Sequence, residues 1–124
     1  MLASATLQTI VWTSRIAEAE QFYTGVLGLT LNGKSYGALV YDVGGSELRV
    51  SPVPATQPSV HTVLGFAVPN LRAIAELLMQ RGVLFEHIAG LTHDSMGIVT
   101  TPDGAKVAWF RDPDGNLLSV VQYA

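Results

Sequence analysis

Near its C-terminus the chain reads Trp109-Phe110-Arg111-Asp112-Pro113-Asp114-Gly115-Asn116-Leu117-Leu118-Ser119-Val120-Val121-Gln122, two β-rich runs joined by a short turn. Pro113 brings a fixed φ and Gly115 the freedom to take a positive one, so the segment predicts strand, tight turn, strand. A weaker copy stands at Val40-Tyr41-Asp42-Val43-Gly44-Gly45-Ser46-Glu47-Leu48-Arg49-Val50. Two copies of one hairpin in 124 residues predict a duplicated module.

The flanking sequence repeats in the same order. Leu7 to Trp12 is a strand candidate, and Ser14 can cap a helix whose apolar positions Ile16, Ala19, Tyr23, Val26 and Leu27 follow helical spacing up to Gly28. Short strands are expected near Thr30–Leu31, Ala38–Tyr41 and Glu47–Ser51. The proline-rich run Pro52-Val53-Pro54-Ala55-Thr56-Gln57-Pro58-Ser59 then reads as a joint. Thr62–Val68 is the next strand, and Asn70 caps a helix with Leu71, Ile74, Leu77 and Leu78 on one face, ended by Gly82. Strands follow at Val83–His87, Lys106–Arg111 and Asn116–Gln122. The expectation is βαβββ twice: module 1 at about 7–52, a linker at 53–61, and module 2 at about 62–124. Asp112 follows Asp42 at a longer interval than Gly82 follows Gly28, so module 2 carries an insertion, placed at Ala89–Gly104. Loops of that length are commonly functional.

Composition narrows the function classes. Charged residues make up 14% of the chain, against roughly 25% in ordinary soluble domains. So little charge on a soluble chain predicts a surface partly covered by a second copy, hence a homodimer. The net charge of −3 and scattered Lys and Arg leave no basic stripe for nucleic acid. No apolar run reaches the ~18 residues of a membrane span. The first residues carry no signal-peptide pattern, and the chain has no cysteine, so a cytoplasmic protein without disulfides or thiolate chemistry is expected.

On Phe22-Tyr23, Leu27-Gly28-Leu29 and the final hairpin, the chain resembles the vicinal oxygen chelate superfamily, which includes glyoxalase I, extradiol dioxygenases, fosfomycin-resistance enzymes and bleomycin-binding proteins. The run Ala108-Trp109-Phe110 before Asp-Pro-Asp-Gly-Asn is similar to a subgroup of small glyoxalase-like proteins. The resemblance implies an α+β fold in which two βαβββ modules form a curved mixed sheet around a cavity, with helices on the convex side. It also implies a divalent metal held by one position from each of four strands, which here are Gln8, Arg49, Val63 and Ser119. Only Gln8 matches a ligand type used in the family. A guanidinium repels a cation, and one amide with one hydroxyl does not hold a transition metal. No metal and no cofactor are therefore expected, and the family's Lewis-acid chemistry does not follow from the fold alone.

Side chains alternate across a strand, which sorts residues between the helix-covered and the cavity face. Glu47, Arg49 and Ser51 point to the cavity, as do Leu117, Ser119 and Val121, with Val107 and Trp109 beside them. Gln8, Ile10 and Trp12 occupy that face in the first strand, and Val63, Gly65 and Ala67 in its counterpart. The expected ligand-binding set is Gln8, Ile10, Trp12, Leu39, Glu47, Arg49, Val63, Val107, Trp109, Ser119 and Val121. It combines an aliphatic wall, two indoles and a planar cation suited to a carboxylate, phosphate or enolate. The plainer alternatives are that Arg49 pairs with Glu47 or Asp42, that the tryptophans only pack, and that Gln8 and Ser119 satisfy each other or water.

Three histidines, His61, His87 and His93, fit no metal-ligand spacing and read as scattered surface residues. His93-Asp94 is the better candidate for a general base, since a carboxylate can orient an imidazole. Three functions follow from these residues. One is a metal-free protein binding a small amphipathic or aromatic, anionic molecule. Another is a metal-independent lyase or isomerase using Arg49 on an enolate, with His93 or Glu47 as base. The third is a metalloenzyme with unorthodox ligands.

Overall fold

Asp112 organises the turn that dominates the sequence. In the computed structural model, which describes residues 1–124, its Oδ1 accepts the backbone N–H groups of Asp114 at 3.0 Å and Asn116 at 2.9 Å. Its Oδ2 accepts the Asn116 side-chain amide at 2.9 Å, while Gly115 takes φ 88°. Both Asp112 and Asn116 are buried. The turn is thus closed by its own side chains, which leaves the flanking strands free to pair.

The chain divides into two compact units, Met1–Gln57 and Pro58–Ala124. In the first, β1 (Gln8–Thr13), β2 (Thr30–Ser35), β3 (Ala38–Val43) and β4 (Ser46–Pro52) form a sheet in the order β1-β4-β3-β2. Helix α1 (Ile16–Glu20) follows β1 and continues as a π-helical segment, Gln21–Val26. In the second unit β5 (Thr62–Ala67), β6 (Val99–Thr100), β7 (Lys106–Arg111) and β8 (Leu117–Gln122) repeat that order as β5-β8-β7-β6, with α2 (Leu71–Gln80) after β5. In each unit the first and last strands pair in parallel and the other pairs are antiparallel. The fold is α+β, βαβββ twice, with two four-stranded mixed sheets.

Each helix covers one sheet face. Tyr23, Tyr41, Leu39 and Val50 are fully buried in the first unit. The Tyr41 hydroxyl meets Thr24 Oγ1 at 2.8 Å, and burial pushes the phenol above its ordinary range. In the second unit Phe110, Leu71 and Leu118 form the core, with Phe85 edge-on to Phe110. No helix is long and apolar enough to cross a membrane.

Three local expectations are corrected. The first helix is not one continuous α-helix capped by Ser14. Arg15 occupies its N-cap, and the chain widens so that Leu27 N–H donates to the carbonyl of Phe22, five residues back. Gly25, a weak helix former, lies in the widened turn. Val83–His87 forms no regular strand; it meets β7 through the Glu86 N–H, which donates to Trp109 O at 2.7 Å, and through the side chains of Phe85 and Glu86. The fourth strand of that sheet comes instead from within the expected insertion, as Val99–Thr100. Asn70 does cap α2, its side chain accepting from Ala73 N–H at 3.2 Å.

Candidate functional site

Register fixes which side chains share the face turned away from each helix, since directly paired residues lie on the same side. In the first unit β1 pairs with β4 as Gln8 with Glu47, Ile10 with Arg49 and Trp12 with Ser51. Val11, Thr13, Leu48 and Val50 are buried on the opposite, helix-covered face. Ile10 and Trp12 are about half exposed, at 47% and 52%, an open apolar surface beside polar neighbours.

Leu39 does not belong to this face. It pairs with Val50 and is 1% exposed, whereas its neighbour Val40 pairs with Arg49. Ala38-Leu39-Val40 is apolar throughout, so alternation gave no phase there, and the hairpin register put Val40 in the position expected for Leu39.

The polar groups of the open face are divided differently from the plainer sequence alternatives. Gln8 Nε2 donates to Glu47 Oε2 at 2.5 Å. Arg49 pairs with neither Glu47 nor Asp42; its Nη2 donates to the Ser35 carbonyl at 3.3 Å. Ser35 precedes the two-residue turn Tyr36-Gly37, both at positive φ (52° and 80°). The guanidinium therefore braces a tight hairpin with one donor and is left without a carboxylate partner.

In the second unit the open face carries the rows Trp109–Ser119–Gly65 and Val107–Val121–Ala67. Val63 lies in a β-bulge between Thr62 and Leu64 and is 40% exposed. Ser119 is buried between its neighbours, and a Cβ on Gly65 would stand 3.0 Å from its Oγ.

His93 and Asp94 are pins for the loop rather than a catalytic pair. His93 Nε2 accepts Ile88 N–H at 2.9 Å, which requires the proton on Nδ1, and that atom meets Gly97 O at 2.9 Å. Asp94 faces Arg72 at 3.1 Å instead, and its Oδ1 accepts Ile98 and Met96 N–H, each at 2.9 Å. Those backbone donors, Ile98 first, hold its carboxyl below the usual range, with Arg72 adding to them. Nor are the histidines all scattered: His87 stacks on His93 at 4.6 Å between ring centroids, and His93 meets Trp109 edge-on. A cavity of about 330 Å³ that sequence reading missed lies at the start of α2, lined by Pro69, Asn70, Arg72, Ile98, Lys106 and Gln122. Much of its polar lining is already spent, for Gln122 accepts Leu71 N–H and Arg72 holds Asp94.

A duplicated βαβββ unit with an open sheet face in each half defines a class of fold, and sequence comparison gives its family. The chain belongs to the glyoxalase/bleomycin resistance protein/dioxygenase superfamily, whose model matches residues 6–120. No curated protein matches it in sequence. Among solved structures it is similar to TnmS3, an antibiotic binding protein from Streptomyces sp. CB03234, with 24% identity, TM-score 0.76 and coverage of 100% of this chain and 99% of that one. It is also similar to a lactoylglutathione lyase from Agrobacterium tumefaciens, with 21% identity, TM-score 0.73 and coverage of 96% and 93%. A glyoxalase/bleomycin resistance protein/dioxygenase from Alicyclobacillus acidocaldarius gives 21% identity, TM-score 0.73 and coverage of 97% and 92%.

Proposed function

We propose that the chain is a small-molecule-binding member of this family that works without the family's metal, taking an aromatic or amphipathic anion on its open sheet faces. The observation that carries this reading is Arg49, a half-buried guanidinium with no carboxylate partner, in register with Ile10 and Val40 and one row from Trp12. Charged donors in apolar surroundings favour a carboxylate or phosphate on a ligand, and indole supplies the ring contact. A protein of the same fold binds an antibiotic.

The donor set supports the absence of metal. The four positions at which the resemblance implies ligands hold an amide already bonded to Glu47, a permanent cation, an isopropyl group and a hydroxyl. No group of three or more His, Cys, Asp or Glu side chains stands together anywhere in the chain. A divalent ion finds neither charge nor ligand number there.

One observation favours a second reading, a metal-independent lyase or isomerase. Glu47 and Arg49 sit two residues apart on one face, with the Glu47 carboxylate fixed by Gln8. A carboxylate base beside a guanidinium can take a proton next to a carbonyl and stabilise the enolate formed. His93 is excluded from that role because backbone groups occupy both ring nitrogens.

The test uses 2-naphthoate as probe. Arg49→Ala should weaken its binding by about 1.5–3 kcal/mol, the scale of a charged hydrogen bond, and leave naphthalene unaffected. Equal affinity in the variant and the parent overturns the anion reading.

A further inference from the structure

The second unit holds a polar group that neither its own fold nor the reading above uses. Ser119 is 9% exposed, yet its hydroxyl has no hydrogen-bond partner within the chain. No fully buried side-chain oxygen or nitrogen lacks a hydrogen-bond partner, so the unmatched Ser119 hydroxyl stands at the surface of the sheet, within reach of a ligand. Ser119 lies on the open face because its row is Trp109–Ser119–Gly65, while Phe110–Leu118–Leu64 takes the helix side.

Its two neighbours differ in size as far as residue types allow. On one side stands the indole of Trp109; on the other, Gly65 has no side chain. Gly65 lies outside the left-handed region, so no backbone conformation requires glycine there. What the missing Cβ preserves is access, for a methyl group would sit 3.0 Å from the Ser119 oxygen. The row thus sets a hydroxyl between an exposed glycine without a side chain and an indole that His93 meets edge-on.

We propose that Trp109, Ser119 and Gly65 form a recognition slot for the oxygen-bearing edge of a planar aromatic ring. The ring lies against Trp109, and a phenolic or ring-carbonyl oxygen exchanges a hydrogen bond with Ser119. The slot rests on the small-molecule reading and adds to it the polar edge of the ligand.

Amide NMR titrations of the full chain with 2-naphthol and naphthalene test the slot. 2-Naphthol should bind about fivefold to tenfold more tightly than naphthalene, as one net hydrogen bond provides, and should shift the Gly65 and Ser119 amides. Ser119→Ala should bring both probes to the affinity of naphthalene. Gly65→Ala, which places a methyl over the hydroxyl, should weaken both. Equal affinity of the two probes for the parent chain, a preference that survives Ser119→Ala, or shifts confined to other residues would each overturn the slot. If 2-naphthoate still depends on Arg49 in those cases, the binding reading stands and only the slot falls. If none of the three probes binds, both fall.

Discussion

Gln8 and Glu47 meet across the parallel pair of β1 and β4, the amide of one donating to the carboxylate of the other at 2.5 Å. The contact ties up the one residue that the resemblance likens to a family metal ligand, and it holds a carboxylate still two residues from Arg49.

Divalent ions should therefore not stabilise the protein. A ligand that binds only the folded state raises the melting temperature. Adding Zn, Ni or Mn to chelator-treated protein should leave the melting temperature unchanged, and metal analysis of untreated protein should find no stoichiometric ion. One tightly held ion per chain would restore the metalloenzyme reading, with Gln8 and Glu47 as the first ligands to replace.

The chain should associate as a homodimer. Ile10, Trp12, Val60 and Leu84 all expose large apolar area, in a chain only 14% charged. Sedimentation at micromolar concentration should report about twice the 13.2 kDa chain mass. A species of single-chain mass under those conditions would refute this.

Asp112→Ala should destabilise the fold strongly without touching either open face. It removes the acceptor for two backbone N–H groups and for the buried Asn116 amide. Leaving buried donors unmatched should cost about 2–4 kcal/mol, measured by urea unfolding. A loss well under 1 kcal/mol would mean that water replaces the carboxylate freely.

Asp94 should contribute to the acid limb of stability. Its folded pKa lies below the ordinary value because of Ile98 and Met96 N–H and Arg72. The unfolded state therefore takes up the proton first. The contribution is complete above the ordinary carboxylate range and is lost as pH falls through the lowered folded value. Melting temperatures between about pH 6 and pH 2 should fall less steeply in Asp94→Asn than in the parent. Parallel curves would show that the loop does not depend on this carboxylate.

Alternation is a local property, and where polar and apolar residues truly alternate it was readable. Glu47-Leu48-Arg49-Val50-Ser51 showed its faces for that reason, whereas Val107-Ala108-Trp109-Phe110, apolar throughout, took its phase from Arg111 two residues after Trp109. The turn at Asp112, the α2 cap at Asn70 and the duplicated element order were legible on the same footing, because each is written within a few consecutive residues. Leu39 was not, since an all-apolar run has no phase until a neighbouring strand imposes one. The bulge at Val63, the replacement of Val83–His87 by Val99–Thr100 as sheet partner, and the commitment of His93 to the backbone of its own loop were equally hidden. Each depends on which hydrogen-bonding groups distant stretches bring to the same edge. Sequence alone determined the fold family and the cation at position 49. Only tertiary structure decided that Arg49 has no carboxylate partner, that Glu47 belongs to Gln8, and that Gly65 leaves the Ser119 hydroxyl uncovered. Pairing energies are set by ångström-scale distances between residues far apart in the chain, and no local pattern encodes those.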